Sequence, residues 1–186
     1  KNPKNKFAMI ASAIGTSGDK TNINATEEFL KSGLMMKSIR VQANGRIKES
    51  MAFENINYTE VYNEENEWID SRCYDIFTSR FLFVIFREQT PNTEDYILDK
   101  IFFWTMPSAD LNIAEQYWEN IKQCVNENHI APEYFWKIGD HKLFHVRPKG
   151  KNKQDLASNP HGGEVQKYCY WFNNEYITDI INKNKQ

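Results

Sequence analysis

The chain has 186 residues, 40% of them hydrophobic and 26% charged, which suits one globular domain and is too apolar for disorder. Its 23 Lys and Arg against 25 Asp and Glu hide an uneven layout: residues 1–50 carry a net +5, 51–140 a net −11 and 141–186 a net +4. No apolar run approaches the roughly 18 residues of a membrane span, and three scattered cysteines (Cys73, Cys124, Cys169) exclude a disulfide scaffold or zinc ribbon.

The chain opens Lys1-Asn2-Pro3-Lys4-Asn5-Lys6, with neither an initiator methionine nor a signal peptide. It reads as a cytoplasmic fragment of a longer protein: a single domain over 1–186, with 1–8 as linker and the cysteines as buried thiols in a reducing compartment. The basic ends, if the fold joins them, form one positive face for polyanions.

Leu34 to Val41 reads as a strand and Arg46 to Phe53 as a second, joined through Ala43-Asn44-Gly45 as a tight hairpin. Ile69, Cys73, Ile76 and Phe77 mark a helical stripe over Ile69 to Thr78. Arg80 to Arg87 is a continuous apolar run capped by arginines, hence a strand buried on both faces, with Ile97 to Trp104 beside it. A helix follows Pro107, capped by Asp110, with Ile113, Tyr117, Ile121, Cys124 and Val125 inward. Leu143 to Arg147 and Lys167 to Phe172 are two more strands, and Asn174 to Asn182 a closing helix with Tyr176, Ile177, Ile180 and Ile181 inward. The expected fold is α/β: a mixed sheet flanked by helices.

Most chemical motifs are missing. His129, His141, His145 and His161 stand at no metal-ligand spacing, so no metal site is expected. There is no nucleophile elbow and no phosphate-binding glycine loop.

Two C-terminal segments are more specific: His145-Val146-Arg147-Pro148-Lys149-Gly150-Lys151-Asn152-Lys153 and Tyr168-Cys169-Tyr170-Trp171-Phe172-Asn173-Asn174. Pro148 ends the ladder, so Arg147 and Lys149 project from a strand's mouth, where such cations can bond guanine O6 and N7. Lys151, Lys153 and Lys167 suit phosphates, and Tyr170 offers a ring and hydroxyl to a base edge. The competing reading pairs Arg147 with a carboxylate such as Asp155 and buries Tyr170 in the core.

These segments resemble the MutH family of GATC-specific endonucleases, in which an Arg-Pro-Lys strand end and a Phe-Tyr-Leu-Lys-Lys strand leading into a helix carry base recognition. Arg147-Pro148-Lys149 matches fully and Tyr170 takes the tyrosine's place, while Phe172 and Asn173 stand where the family has lysines. Gly33 to Ile39, the Asn44-Gly45-Arg46 turn, Glu49 to Phe53, Trp68 to Ser71 and Phe81 to Val84 follow the family's order over roughly residues 9–183. The resemblance implies a restriction-endonuclease-like, MutH-like fold.

The family's catalytic motif is Asp-x6-Glu-x-Lys, whose carboxylates hold Mg²⁺. Here it reads Glu28-x6-Met35-x-Lys37, with a thioether where a hard cation needs oxygen. No acid stands near Ala11 and Ser12 and no lysine near Ile76 and Phe77, where the family has them. Glu28, Met35 and Lys37 are thus read as remnants, with no functional catalytic residue.

The resemblance then implies a pseudo-catalytic, C-terminal MutH-like domain of a Sau-type, Mg-dependent type II restriction endonuclease. Such a domain binds GATC duplex DNA as the allosteric effector of an upstream catalytic domain and needs no cofactor itself. Dimerisation on DNA stays open. So do an active Mg²⁺ nuclease using Glu49 or Glu54 and a protein-interaction module that no longer binds DNA.

Overall fold

The computed structural model describes residues 6–15, 22–47, 49–63 and 65–184. In chain order the elements are α1 (Lys6–Gly15), a 3-10 turn (Ile23–Ala25), α2 (Glu27–Lys31), β1 (Leu34–Val41), β2 (Met51–Asn55), α3 (Tyr58–Tyr62), a second 3-10 turn (Trp68–Asp70) and α4 (Arg72–Thr78). Then follow β3 (Arg80–Glu88), β4 (Tyr96–Trp104), α5 (Ser108–Asn126), β5 (Phe144–Pro148), β6 (Leu156–Ser158), β7 (Glu164–Gln166), β8 (Tyr168–Phe172) and α6 (Asn174–Lys183). They gather into two compact units, one within residues 1–48 and 79–106, the other within 49–78 and 107–185. Of the expected linker, residues 1–5 lie outside the described residues, and α1 already begins at Lys6. Among the described residues no helix is long and apolar enough to cross a membrane.

The first unit holds a mixed sheet of order β1-β3-β4, with β1 parallel and β4 antiparallel to β3. β3 is buried on both faces, as its unbroken apolar run requires. On one face Met36, Val84 and Phe86 pack with Ala11 of α1 and with Ile23. The edge of β1 away from β3 is sealed by a side chain: Asn24 Oδ1 accepts the Met36 amide at 2.6 Å, and Asn24 Nδ2 donates to the Met36 carbonyl at 3.0 Å.

The expected β1–β2 hairpin does not form. The turn does: Gly45 sits at φ +83°, its amide donates to the Gln42 carbonyl at 2.8 Å, and the Gln42 amide bonds the Arg46 carbonyl at 2.8 Å. After one bridge between Val41 and Ile47 the ladder stops, and β2 pairs with β8 in the second unit. An Asn-Gly pair specifies the reversal; it does not oblige the returning chain to stay paired.

The second unit holds an antiparallel sheet of order β2-β8-β5 and a small β6–β7 hairpin. Its core is aromatic. Phe53, Phe77, Phe144 and Phe172 are buried with ring centroids 4.6–5.7 Å apart, joined by Tyr117 and Tyr170. α5 buries Tyr117, Ile121, Cys124 and Val125 as its periodicity predicts, with Ile113 half-buried, and α6 buries Tyr176, Ile177, Ile180 and Ile181. Two local readings need correction. Asp110 does not cap α5, because its Oδ2 accepts the Tyr176 hydroxyl at 2.7 Å and Pro107 occupies the cap position. Ile69 is 60% exposed in the 3-10 turn, so the α4 stripe starts only at Cys73.

Candidate nucleic-acid interface

In an antiparallel pair, directly opposite residues point to the same face of the sheet. Register across β5 and β8 sets Phe144 opposite Phe172, His145 opposite Trp171, Val146 opposite Tyr170 and Arg147 opposite Cys169. Phe172 and Tyr170 share the core face with Phe144 and Val146. The other face therefore presents His145 and Arg147 from β5 and Trp171 from β8.

Two cations flank that indole. The Arg147 guanidinium lies 5.4 Å from the Trp171 ring centroid and the Lys149 ammonium 6.0 Å, within cation–π range. Lys149 is also anchored, its Nζ donating to the Phe53 carbonyl at 2.8 Å. β2 breaks register between Ala52 and Asn55, and the same carbonyl accepts the Cys169 thiol at 3.0 Å. β5 runs one residue past the expected end at Arg147, with Pro148 opposite Tyr168, and both cations reach the Trp171 ring.

Tyr170 is the correction here. It is 2% exposed, its ring meets Phe77 and Tyr117, and burial pushes its phenol well above the usual range. It cannot reach a ligand on the Arg147 face. Trp171, on the same face as Arg147, can. The observed Arg147–Cys169 register, carried two residues along β8, leads to Trp171. Setting Tyr170-Trp171-Phe172-Asn173-Asn174 against Phe-Tyr-Leu-Lys-Lys puts Trp171 on the tyrosine and the two asparagines on the lysines.

Beneath Trp171 lies His145, fully buried and stacked on the indole with centroids 5.8 Å apart. Its Nδ1 bonds Asn173 Oδ1, while Asn173 Nδ2 donates to the His141 carbonyl at 2.5 Å. Burial, opposed by the Asn173 bond and aided by Arg147, holds the His145 pKa below the usual 6.5.

The lysines expected at phosphates separate into two kinds. Lys151 and Lys153 are exposed on the loop after Pro148. Lys167 is committed to an ion pair with Asp155, at the place where the competing reading had set Arg147.

The catalytic remnants lie in the first unit. Glu28 is exposed on the short α2, and Met35 and Lys37 point to one face of β1. Their register partners on β3 are Phe81 and Phe83, followed on β4 by Trp104 and Phe102, so this face is aromatic. One carboxylate, a thioether and aromatic rings do not fit Mg²⁺, which takes oxygen ligands in near-octahedral geometry. Ala11, Ser12, Ile76 and Phe77, where the family's further acid and lysine were expected, are all buried. Glu54, considered as a migrated ligand, is held by Arg72 through two hydrogen bonds of 2.6 and 3.0 Å. Among the described residues no three His, Cys, Asp or Glu side chains group as a metal site.

The family model of the DNA mismatch repair enzyme MutH matches residues 18–116, more than half of the chain. The chain belongs to the MutH family. That match takes in the remnants Glu28, Met35 and Lys37 and ends before the Arg147 face. The chain is also similar to the type II restriction enzyme Sau3AI of Staphylococcus aureus, 28% identical over an alignment of 190 positions that covers 88% of this chain and 38% of that enzyme. The chain thus spans well under half the length of this relative.

Proposed function

We propose that this chain binds double-stranded DNA through the outer face of the β2-β8-β5 sheet and reads GATC there. The observation that carries the reading is the cluster of Arg147, Lys149 and Trp171 at the strand end, with Lys149 fixed on the Phe53 carbonyl. Arg and Lys are the side chains that bond guanine O6 and N7, and the anchored strand end limits the ordering entropy lost on binding. Trp171 takes over the base-facing role first assigned to Tyr170. Lys151 and Lys153 serve the phosphates; Lys167 serves Asp155.

In this proposal the chain is the effector domain of a Mg-dependent type II restriction enzyme and works in the cytoplasm. Cleavage belongs to a separate, upstream catalytic domain. The donor set around Met35 supports that division, as does the engagement of Glu54 by Arg72. A gel-shift titration with a GATC duplex and a scrambled duplex, with and without Mg²⁺, is the test. Preference for GATC independent of Mg²⁺ is expected; equal affinity for both duplexes overturns the reading.

A further inference from the structure

The loop that leaves β5 is basic, and it contains one acid. Between Asp140 and Glu164 the sequence carries Lys142, Arg147, Lys149, Lys151 and Lys153 and the single carboxylate Asp155. A carboxylate beside a phosphate-binding surface repels the ligand, so its presence there calls for a compensating role.

Its contacts supply one. Asp155 Oδ2 accepts the Lys151 backbone amide at 2.8 Å, and Oδ1 takes the Lys167 ammonium. The Asp155 amide bonds the Asn152 carbonyl at 3.2 Å, the Gln154 amide bonds Asn152 Oδ1 at 2.9 Å, and the Lys149 amide bonds the Lys167 carbonyl at 2.9 Å. The loop closes so tightly that a Cβ on Gly150 would stand 3.0 Å from the Asp155 carbonyl oxygen and 3.1 Å from that of Asn152. The Lys151 amide first, and then Lys167, hold the Asp155 carboxyl below its ordinary range. Asp155 thus ties the segment two residues past Lys149 to the residue that leads into β8.

We infer that Asp155 is a positioning and specificity-determining residue: it fixes the Lys149–Lys153 loop for base contact and withholds Lys167 from phosphate. This inference rests on the DNA-binding reading above. Asp155 gives up general affinity for polyanions and gains discrimination between sequences. Base contacts need a fixed geometry, whereas phosphate contacts do not. A neutralised Lys167 subtracts one cation from the sequence-independent attraction.

The test compares Asp155→Asn and Asp155→Ala in the whole chain. It measures binding to GATC and scrambled duplexes over a salt series, and hydrogen exchange at the Lys151 amide without DNA. Asp155→Asn keeps an oxygen for the Lys151 amide and loses the charge. It should retain the GATC preference while the log–log salt slope steepens by about 0.9 on both duplexes, as Lys167 is released. Asp155→Ala loses both contacts: Lys151 exchange should quicken, scrambled-duplex binding should rise, and the GATC preference should fall about tenfold.

An Asp155→Ala chain with an undiminished preference overturns the inference, as does a Lys151 amide that exchanges no faster. Asp155→Asn losing preference as fully as Asp155→Ala, with no steeper slope, overturns it too. A wild-type chain that binds both duplexes alike removes the DNA-recognition reading itself and the specificity role with it. The Lys151 exchange comparison still tests the hold of Asp155 on the loop in that case.

Discussion

Arg147 and Cys169 stand opposite each other across β5 and β8, and this pairing decides which aromatic side chain can share a ligand with Arg147. Residues two apart on a strand share a face, so the partner is Trp171; Tyr170, one residue nearer in sequence, belongs to the core.

The two rings should therefore respond differently to truncation. Tyr170→Ala empties a fully packed site and is expected to cost about 3–5 kcal/mol of stability, the range for a large buried aromatic. Trp171→Ala, on a partly exposed face, should cost less stability and weaken DNA binding directly. Urea denaturation and duplex titration on both variants check this. A Tyr170→Ala chain of undiminished stability would contradict the packing described here.

Arg147→Ala and Lys149→Ala are each expected to cost on the order of 1–3 kcal/mol on a GATC duplex and much less on a scrambled one. Equal losses on both duplexes would reduce these side chains to phosphate contacts. Lys149→Ala should also unseat the Phe53 carbonyl contact, so a small loss of stability should accompany it.

Salt dependence separates the lysines. Lys151→Ala and Lys153→Ala should each flatten the log–log salt slope by about 0.9, whereas Lys167→Ala should change it little, because Asp155 already neutralises that ammonium. Titrations between low and moderate salt read these slopes directly. A Lys167→Ala slope as flat as that of Lys151→Ala would show that the ion pair opens on binding.

The chain alone is expected not to nick DNA in Mg²⁺ or Mn²⁺, and Met35→Glu alone should not confer nicking. The new carboxylate would stand over Phe81 and Phe83 with Glu28 as its one family-position companion. Conversion of supercoiled GATC plasmid to open circles is the readout. Nicking that disappears on Glu28→Ala would defeat this expectation.

The burial of His145 gives stability a dependence on pH. Its folded pKa lies below the usual 6.5, so below that value the unfolded chain takes up the proton first. The stability contributed by neutral His145 is complete above about 6.5 and is lost as pH falls through the window beneath it. Denaturant midpoints at pH 7.5 and 5.5 should differ in the wild-type chain and converge in His145→Gln. An unchanged difference in that variant would assign the effect to other groups.

Periodicity and composition made much of this fold legible. The double burial of β3, the inward stripes of α5 and α6, and the arrest of β5 at Pro148 all follow from spacing and residue type. What eluded the sequence was pairing over distance. Leu34 to Val41 reads as half of a hairpin because Asn44-Gly45 is a strong local turn, yet its long ladder is the parallel one to β3. Asn24, which seals the other edge of β1, carries no signal: one asparagine in a polar stretch looks like any other. At the interface the residue types were right and one strand register was missing, which exchanged Trp171 for Tyr170.

The parallel pairing of β1 with β3 has a consequence for how the chain acquires its structure. Everything between residues 49 and 78 belongs to the second unit, and β2 finds its partner only at Met51 opposite Phe172. Each unit is thus sewn from separate stretches of sequence, and no single cut divides the chain into two self-sufficient pieces. A nascent chain that has emerged only as far as Thr78 has β1 but not the strand it pairs with, and β2 must wait for Tyr168–Phe172. Long loop closures come before either sheet is complete, which slows folding relative to local pairing. Synthesis from the ribosome therefore leaves apolar strands unpaired until late, and truncation from the C-terminus should yield aggregates rather than a smaller folded domain.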